Sequence, residues 1–189
     1  MLLVPEDKFS IQTSILFDSC LLKQQSASLE DLSDFTKEIA SARTFVFVKE
    51  INPLLQRNLI KGGDIDNAIV IYDTPMPQDE YDQLADVMNV KRRNAKNIGY
   101  IMNKPLLYAN EPARHKLLDI IGDLALVGGF IKGRVVAVCP GHGINNLFAR
   151  AIREAHIAEV KRKSKKLKAS DIEFESALVM DSHFYWNCP

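Results

Sequence analysis

Cysteine is scarce in this sequence, and long apolar runs are missing from it. Cys20, Cys139 and Cys188 are an odd number in no close-spaced pattern, which argues against a disulfide framework and against a cysteine-type zinc site. No run of about 18 apolar residues is present, so no transmembrane helix is predicted. The stretch at the start of the sequence is too short and too acidic to be a signal peptide. We therefore expect a cytoplasmic protein.

An excess of charge of either sign is missing too. Lys and Arg total 24, Asp and Glu also total 24, and this balance argues against a general nucleic-acid partner. With 189 residues, 47% of them hydrophobic, the chain is long enough for one domain with a real core.

The first half of the chain alternates strand and helix patterns. Phe9–Phe17 roughly alternates apolar and polar residues, which predicts a half-buried strand. Ser28–Ala40 is predicted to be a helix with a serine N-cap. The apolar strands Thr44–Val48 and Ala68–Tyr72 flank a helical stretch at Ile51–Asn58, and these three elements predict a small βαβ unit with parallel strands.

The second half is less regular at first. Thr74–Asn110 contains a polar helix around Asp79–Asn89 and is predicted to be an insertion. Val135–Val138 is typical of a strand, and a helix is predicted from about Asn145 to Val160. Residues 161–189 begin with a basic run, for which a solvated helix end is a better interpretation than an RNA contact.

The most informative segment is a helix that Pro112 opens and Gly128-Gly129 closes. It is otherwise largely apolar, but His115, Asp119 and Asp123 follow one another at intervals of four and therefore share one face. Buried charge needs partners, and a histidine and an aspartate one turn apart can bind one divalent ion. The alternative is structural, with His115 and Asp119 as a satisfied core pair and Asp123 capping a neighbouring element.

A second polar cluster is the predicted loop that holds His142 between Gly141 and Gly143. Glycine permits close approach of a ligand to the backbone, and a loop histidine can donate or accept a proton. An ordinary turn with an exposed histidine is the alternative. If Asp123 hydrogen-bonds His142, the stripe divides into two metal ligands and one carboxylate that orients a catalytic imidazole.

Four motifs in register resemble the second half of the zinc-dependent UDP-3-O-acyl-N-acetylglucosamine deacetylases, which commit their substrate to lipid A synthesis. The resemblance covers roughly Val4 to Glu159. The motifs are Arg43-Thr44-Phe45, Gly62-Gly63-x-x-Asp66-x-Ala68-Ile69-Val70, Arg114-His115-Lys116-x-x-Asp119-x-x-Gly122-Asp123-Leu124 and Gly141-His142-x-x-Asn145-Asn146.

The resemblance implies an α+β fold, with a two-layer sheet and helix domain that carries a small βαβ insert. It places residues 1–160 in the second domain of the enzyme, the insert at about 43–72 and a longer insertion at about 74–110. The insert forms a hydrophobic passage for the acyl chain, and the residues that match its lining by position are Phe45, Ile51, Ile60, Ala68 and Val70. Ordinary core positions are the alternative interpretation of the same residues.

Zn²⁺ is the implied cofactor, and two of its ligands match His115 and Asp119. The family's remaining histidine ligand and its general-base glutamate belong to a first domain, which this sequence does not contain. A catalytic zinc takes three protein ligands and an open position. We therefore expect this chain to be a fragment that needs that first domain as its partner.

The resemblance also assigns roles around the metal. Thr44 would stabilise the developing oxyanion, and His142, held by Asp123, would protonate the departing amine. Lys116 would balance negative charge and contact the diphosphate of the UDP-sugar acyl substrate, and Gly141 would be a further substrate-binding residue. Similarly extended members are fused to a downstream 3-hydroxyacyl-carrier-protein dehydratase, so residues 161–189 are expected to be a basic linker and tail.

A different class of function stays open at this stage. The chain could be a non-catalytic α/β module that binds a partner protein or an acyl chain, with a purely structural polar stripe. Metal content distinguishes this alternative from the hydrolase.

Overall fold

The computed structural model describes residues 1–51, 66–169 and 184–185. Its strands are β1 (Leu2–Val4), β2 (Phe9–Ile15), β3 (Gln25–Leu29), β4 (Thr44–Phe47), β5 (Ala68–Tyr72), β6 (Gly99–Ile101), β7 (Phe130–Ile131), β8 (Gly133–Val138) and β9 (Phe184–Tyr185). Its α-helices, in chain order, are α1 (Phe35–Glu38), α2 (Gln78–Val87), α3 (Glu111–Leu124) and α4 (His142–Ala169). The α+β class is thereby confirmed.

The main sheet has the order β1-β8-β2-β3. β2 runs parallel to β8, whereas the outer pairs β1–β8 and β2–β3 are antiparallel. The alternation in β2 is visible in its burial, because Ile11, Thr13 and Ile15 are buried while Gln12 is exposed. Helix α3 packs on β2 and β3, which gives the predicted layer of helix on sheet.

The predicted helix at Ser28–Ala40 begins too early: residues 32–38 are helical, but the first residues of the predicted range are not. Ser28 lies in β3, where it pairs with Gln12 of β2. Helical backbone begins only at the 3-10 turn Leu32–Asp34, and Asp31 caps it by accepting a hydrogen bond from the Ser33 amide at 3.0 Å. Pairing of β3 with β2 prevails here over the helical spacing of the apolar residues. The pairing satisfies backbone hydrogen-bonding groups that a short helix with a weak capping box would leave without partners.

A second sheet has the order β4-β5-β6. The predicted parallel pairing of β4 with β5 is confirmed, with Thr44 opposite Ala68 and Phe47 opposite Ile71. Residues 48–51 are helical, and the rest of the helix predicted over 51–58 lies outside the described residues. The sheet separates two cores, because Phe47, Ile69 and Ile71 pack in the main core while Val70 and Tyr72 pack in a second one.

The 74–110 stretch contains more regular structure than its sequence predicts. It supplies α2, close to the predicted helix, and also β6, which pairs antiparallel with β5. Tyr81 and Leu84 of α2 are buried in the second core. The stretch therefore completes a small sheet and its own core.

Helices α3 and α4 pack against each other. α3 buries Leu117, Ile120 and Leu124, and Gly128 follows it with φ +83°, the left-handed conformation that glycine favours at a helix end. α4 is longer than predicted at both ends and includes the start of the basic run as exposed helix. The tail contributes β9, antiparallel to β7. Among the described helices, none combines the length and the apolar character needed to cross a bilayer.

Candidate active site

The polar stripe of α3 brings a nitrogen and an oxygen donor together. His115 Nε2 lies 3.3 Å from Asp119 Oδ1, and both side chains are largely shielded from solvent. The pair forms because residues four apart on a helix are neighbours on one face. The sequence prediction that these two side chains converge is met by this distance.

The contact made by the other ring nitrogen of His115 determines which of the two nitrogens is protonated. Nδ1 lies 2.9 Å from the carbonyl oxygen of Ala42, which can only accept, so Nδ1 must be the protonated nitrogen. In the neutral ring Nε2 then presents a lone pair to the Asp119 carboxylate. Two acceptors at 3.3 Å need a shared proton or a shared cation between them.

A zinc ion suits this donor pair. Two ligands at about 2.0–2.1 Å from a tetrahedral zinc are separated by about 3.3 Å, and the backbone carbonyl behind His115 is the usual outer partner of a ligating imidazole. Within the described part of the chain, no group of three or more His, Cys, Asp or Glu side chains could hold a metal ion.

His142 approaches the same site from α4. Its Nδ1 lies 2.9 Å from Asp123 Oδ2, and its Nε2 lies 4.0 Å from Asp119 Oδ1. The sequence context predicts that His142 is a loop residue, but it is the first residue of α4. Its side chain is nevertheless 68% exposed. The hydrogen bond that the stripe predicts between Asp123 and His142 is present.

Lys116 lies beside His115 and Asp119. Its Nζ donates to Asp119 Oδ2 at 2.7 Å and sits 5.4 Å from the centre of the Phe45 ring. The ammonium therefore compensates the negative charge of Asp119 at Oδ2, the oxygen that does not face His115. The face of the Phe45 ring stabilises the ammonium further. Gly141 leaves open space near His142, because a Cβ added there would meet no atom within 4 Å.

Thr44 is exposed at the start of β4, next to an ion pair that anchors this strand. Arg43 Nε donates to Glu111 Oε1 at 2.8 Å, and the two side chains are 9% and 0% exposed. Burial raises the pKa of Glu111, but hydrogen bonds from Arg43 and from the Leu107 amide outweigh burial, so its pKa lies below the usual value. The hydrogen bond to Glu111 likewise raises the pKa of Arg43.

The residues predicted to line the acyl passage do not share one face. Phe45 lies on the β4 face of the main core, where its ring contacts Phe17 at 5.5 Å between centroids. Val70 and Ile51 are buried in the second core, on the other side of the sheet from Phe45. Half-buried Ala68 lies two residues before Val70 in β5 and therefore on the same face as Val70. Ile60 lies outside the described residues.

Two buried polar residues of the site were missed by sequence reasoning. Asn145 donates to Asp123 Oδ2 at 2.9 Å, the same oxygen that binds His142, and Glu111 anchors Arg43. Asn145 follows His142 by three residues within a motif that carries the resemblance, but no role was assigned to it, and Glu111 stands one turn before His115. Neither spacing identifies a partner, because both partners come from other elements.

Comparison with known proteins decides the family. The family model for UDP-3-O-acyl N-acetylglycosamine deacetylase (LpxC) matches residues 1–86 and 94–154. The chain belongs to this family. The unmatched residues 87–93 fall within the 74–110 stretch.

Relatives in this deacetylase family extend the comparison. The bifunctional enzyme LpxC/FabZ of Porphyromonas gingivalis is 59% identical over 154 residues, which are 82% of this chain and 33% of that protein. The protein of the same name from Bacteroides thetaiotaomicron is 55% identical with the same coverage. The UDP-3-O-acyl-N-acetylglucosamine deacetylase of Oleidesulfovibrio alaskensis is 35% identical over 84% of this chain and 44% of its own length. The chain thus spans a third to under half of these relatives.

Proposed function

We propose that this chain is the second domain of a zinc-dependent deacetylase that removes the N-acetyl group from UDP-3-O-acyl-N-acetylglucosamine. The observation that carries the proposal is the convergence of His115 Nε2 and Asp119 Oδ1 at 3.3 Å, with His142 beside them. Membership of the LpxC family supports the reaction class, and the names of the relatives support the substrate.

His115 and Asp119 would hold the zinc, and a further histidine and a general-base glutamate would come from the enzyme's first domain. When bound, zinc lowers the pKa of a coordinated water and polarises the amide carbonyl. Lys116 limits the negative charge on Asp119 through its hydrogen bond at 2.7 Å. A ligand carboxylate compensated in this way leaves more positive charge available to the substrate.

His142 and Thr44 would act on the reacting amide. The Asp123 carboxylate stabilises a protonated imidazole and orients its ring, so Nε2 of His142 can deliver a proton to the leaving amine. Thr44, exposed at the start of β4, can donate a hydrogen bond from its hydroxyl to the oxygen on which negative charge develops. Each role uses an atom that solvent or substrate can reach.

The substrate and partner proposals have separate support. Lys116, 2.7 Å from Asp119, suits a diphosphate, and the apolar residues of β4 and β5 suit an acyl chain. Three relatives are named bifunctional LpxC/FabZ, which supports a fused downstream dehydratase. We also propose that the reaction takes place in the cytoplasm.

Metal retention tests the proposal directly. This chain, combined with a first domain from a family member, should bind one zinc per complex and hydrolyse the acetamide, whereas the chain alone should bind zinc weakly without turnover. His115→Ala should abolish zinc retention, measured by atomic absorption, because it removes one of the few ligands. His156→Ala on α4 is the matched control and should retain zinc.

Stoichiometric zinc in the His115→Ala complex would contradict the metal role. It would favour the alternative of a non-catalytic module with a structural His–Asp pair. Full turnover by the isolated chain would contradict the requirement for a first domain.

A further inference from the structure

We infer that the buried Arg43–Glu111 pair is a positioning clamp for the active site. The clamp fixes the backbone of residues 42–44 against the first turn of α3, and this backbone orients both His115 and Thr44. The inference rests on the proposed function only in taking His115 as a metal ligand.

Glu111 is saturated with donors that come from outside its own helix. Oε1 accepts the backbone amide of Arg43 at 3.0 Å and Arg43 Nε at 2.8 Å. Oε2 accepts Arg43 Nη2 at 3.0 Å and the Leu107 amide at 2.7 Å. One carboxylate therefore holds the main chain on two sides of the start of α3.

Arg43 extends the same network to the loop before α3. Its guanidinium donates to the carbonyl oxygens of Lys104 at 3.2 Å and Pro105 at 2.8 Å. The planar fork of arginine can make these bonds and the bidentate contact with Glu111 at once, which lysine cannot. Arg43 and Glu111 are thus matched in geometry as well as charge.

The clamp acts on both neighbours of Arg43. Ala42 precedes it and supplies the carbonyl that accepts His115 Nδ1–H at 2.9 Å, so the position of this carbonyl decides that Nε2 faces Asp119. Thr44 follows it and starts β4. Glu111 stands one helical turn before His115, so the clamp and the ligand share one face of α3.

A buried ion pair by itself is weak evidence for a gain in stability, because apolar residues of similar volume often serve as well. An apolar pair could not accept the Arg43 amide or hold the Ala42 carbonyl in place. The geometry therefore points to orientation of the site as the contribution of this pair.

The test reads the tautomer of His115 in the full chain without metal. Two-bond ¹H–¹⁵N correlation spectra at about pH 8.5 should show wild-type His115 with a proton on Nδ1, whether or not Nε2 shares a further proton with Asp119. An unconstrained neutral histidine favours the opposite tautomer. Glu111→Gln should shift His115 towards that tautomer, and Arg43→Lys, the milder change, should do so to a smaller extent.

Ile11→Ala is the control for a merely structural effect, because Ile11 is buried in the main core on β2, a strand of the sheet that does not include β4. It should destabilise the chain and leave the His115 tautomer unchanged. An unchanged tautomer in a folded Glu111→Gln or Arg43→Lys chain would overturn the clamp, as would an equal change in Ile11→Ala.

Zinc titration of the same samples separates the two proposals. Zinc alone should perturb the wild-type His115 signals, and loss of an outer hydrogen-bond partner should weaken this binding by about 10–100-fold in the clamp variants. Wild-type signals that ignore zinc would count against the metal role. The tautomer comparison decides the clamp in either case.

Discussion

Glu111 and Asp119 are both buried carboxylates on α3, and their neighbours give them different tasks. Glu111 has four hydrogen-bond donors and a cation, so its charge is fully compensated inside the protein. Asp119 has Lys116 on Oδ2, while Oδ1 faces the lone pair of His115. The first carboxylate is suited to structure and the second to a cation.

The environment of Glu111 predicts how stability depends on pH. Its folded pKa lies below the usual value of 4.5, so its contribution is fully present above pH 4.5 and is lost as the pH falls through the folded value. Glu111→Gln should cost about 3–5 kcal/mol of unfolding free energy at neutral pH, because Arg43 is left as an unpaired buried charge. Urea unfolding at neutral pH measures this difference.

The same difference should shrink when urea unfolding is repeated at stepwise lower pH, starting below 4.5. Glu154→Gln on the exposed surface of α4 is the control and should change stability by no more than about 0.5 kcal/mol. A gap between wild type and Glu111→Gln that stays constant through this range would contradict the assignment.

His142 should affect catalysis and leave metal retention intact. In the complex with a first domain, His142→Ala should lower the deacetylation rate by about 10²–10⁴-fold, because the departing amine loses its proton donor. Zinc content should be unchanged, since His142 Nε2 is 4.0 Å from Asp119 and serves a different step. A wild-type rate in this variant would remove the proposed role of His142.

At the scale of elements, two glycines differ in the space around them: one lies in a close contact between strands and the other on an open helix surface. Gly133 starts β8 with φ +146°, and a Cβ there would lie 2.8 Å from the Val4 carbonyl oxygen of β1. Gly133→Ala should therefore destabilise the chain by about 1–3 kcal/mol, measured by urea unfolding. Gly122→Ala in α3 is the matched control, because its Cβ meets nothing within 4 Å.

Gly122→Ala should raise stability by up to about 1 kcal/mol, since alanine is the better helix former. If both substitutions changed stability equally, the β1 contact would not be the cause of the Gly133 effect.

The elements also show where local sequence stops being informative. The strands β2, β4 and β5 follow from alternation and apolar runs, and α3 follows from Pro112 and Gly128 near its ends. Ser28 misleads, because a residue that suits a helix N-cap suits an antiparallel partner of Gln12 equally well. Whether Ser28 adopts a strand or a helix conformation depends on its pairing with β2, which the local sequence around Ser28 does not show.

At the scale of the whole molecule, the β4-β5-β6 sheet divides the interior into two cores. Leu84→Ala in the second core should cost about 2–5 kcal/mol or open that region locally. Hydrogen exchange should then accelerate more in α2 than in β2, which belongs to the main core. Val87→Ala in the same helix is exposed and should have little effect, while equal acceleration in α2 and β2 would contradict two separable cores.

Much of the candidate site was predicted from the sequence, but the predicted residues were not all brought together. His115 and Asp119 converge because both lie on one helix, and their spacing alone fixes their distance within a turn. The predicted passage residues divide between two faces of a sheet, because alternate residues of β4 and β5 point to opposite sides. Which face each residue takes could not be inferred before the register of these strands was known.

The sequence alone determined the stripe on α3, the pairing of His115 with Asp119 on it and the parallel pair of strands, since each depends on contacts between near neighbours along the chain or on a simple period. Only the tertiary structure decided that Glu111 would clamp Arg43, that the Ala42 carbonyl would set the ring of His115 and that Asn145 would join His142 on Asp123. Those contacts join residues 22 to 73 positions apart. No local period encodes them, because packing of helix on sheet chooses the partners.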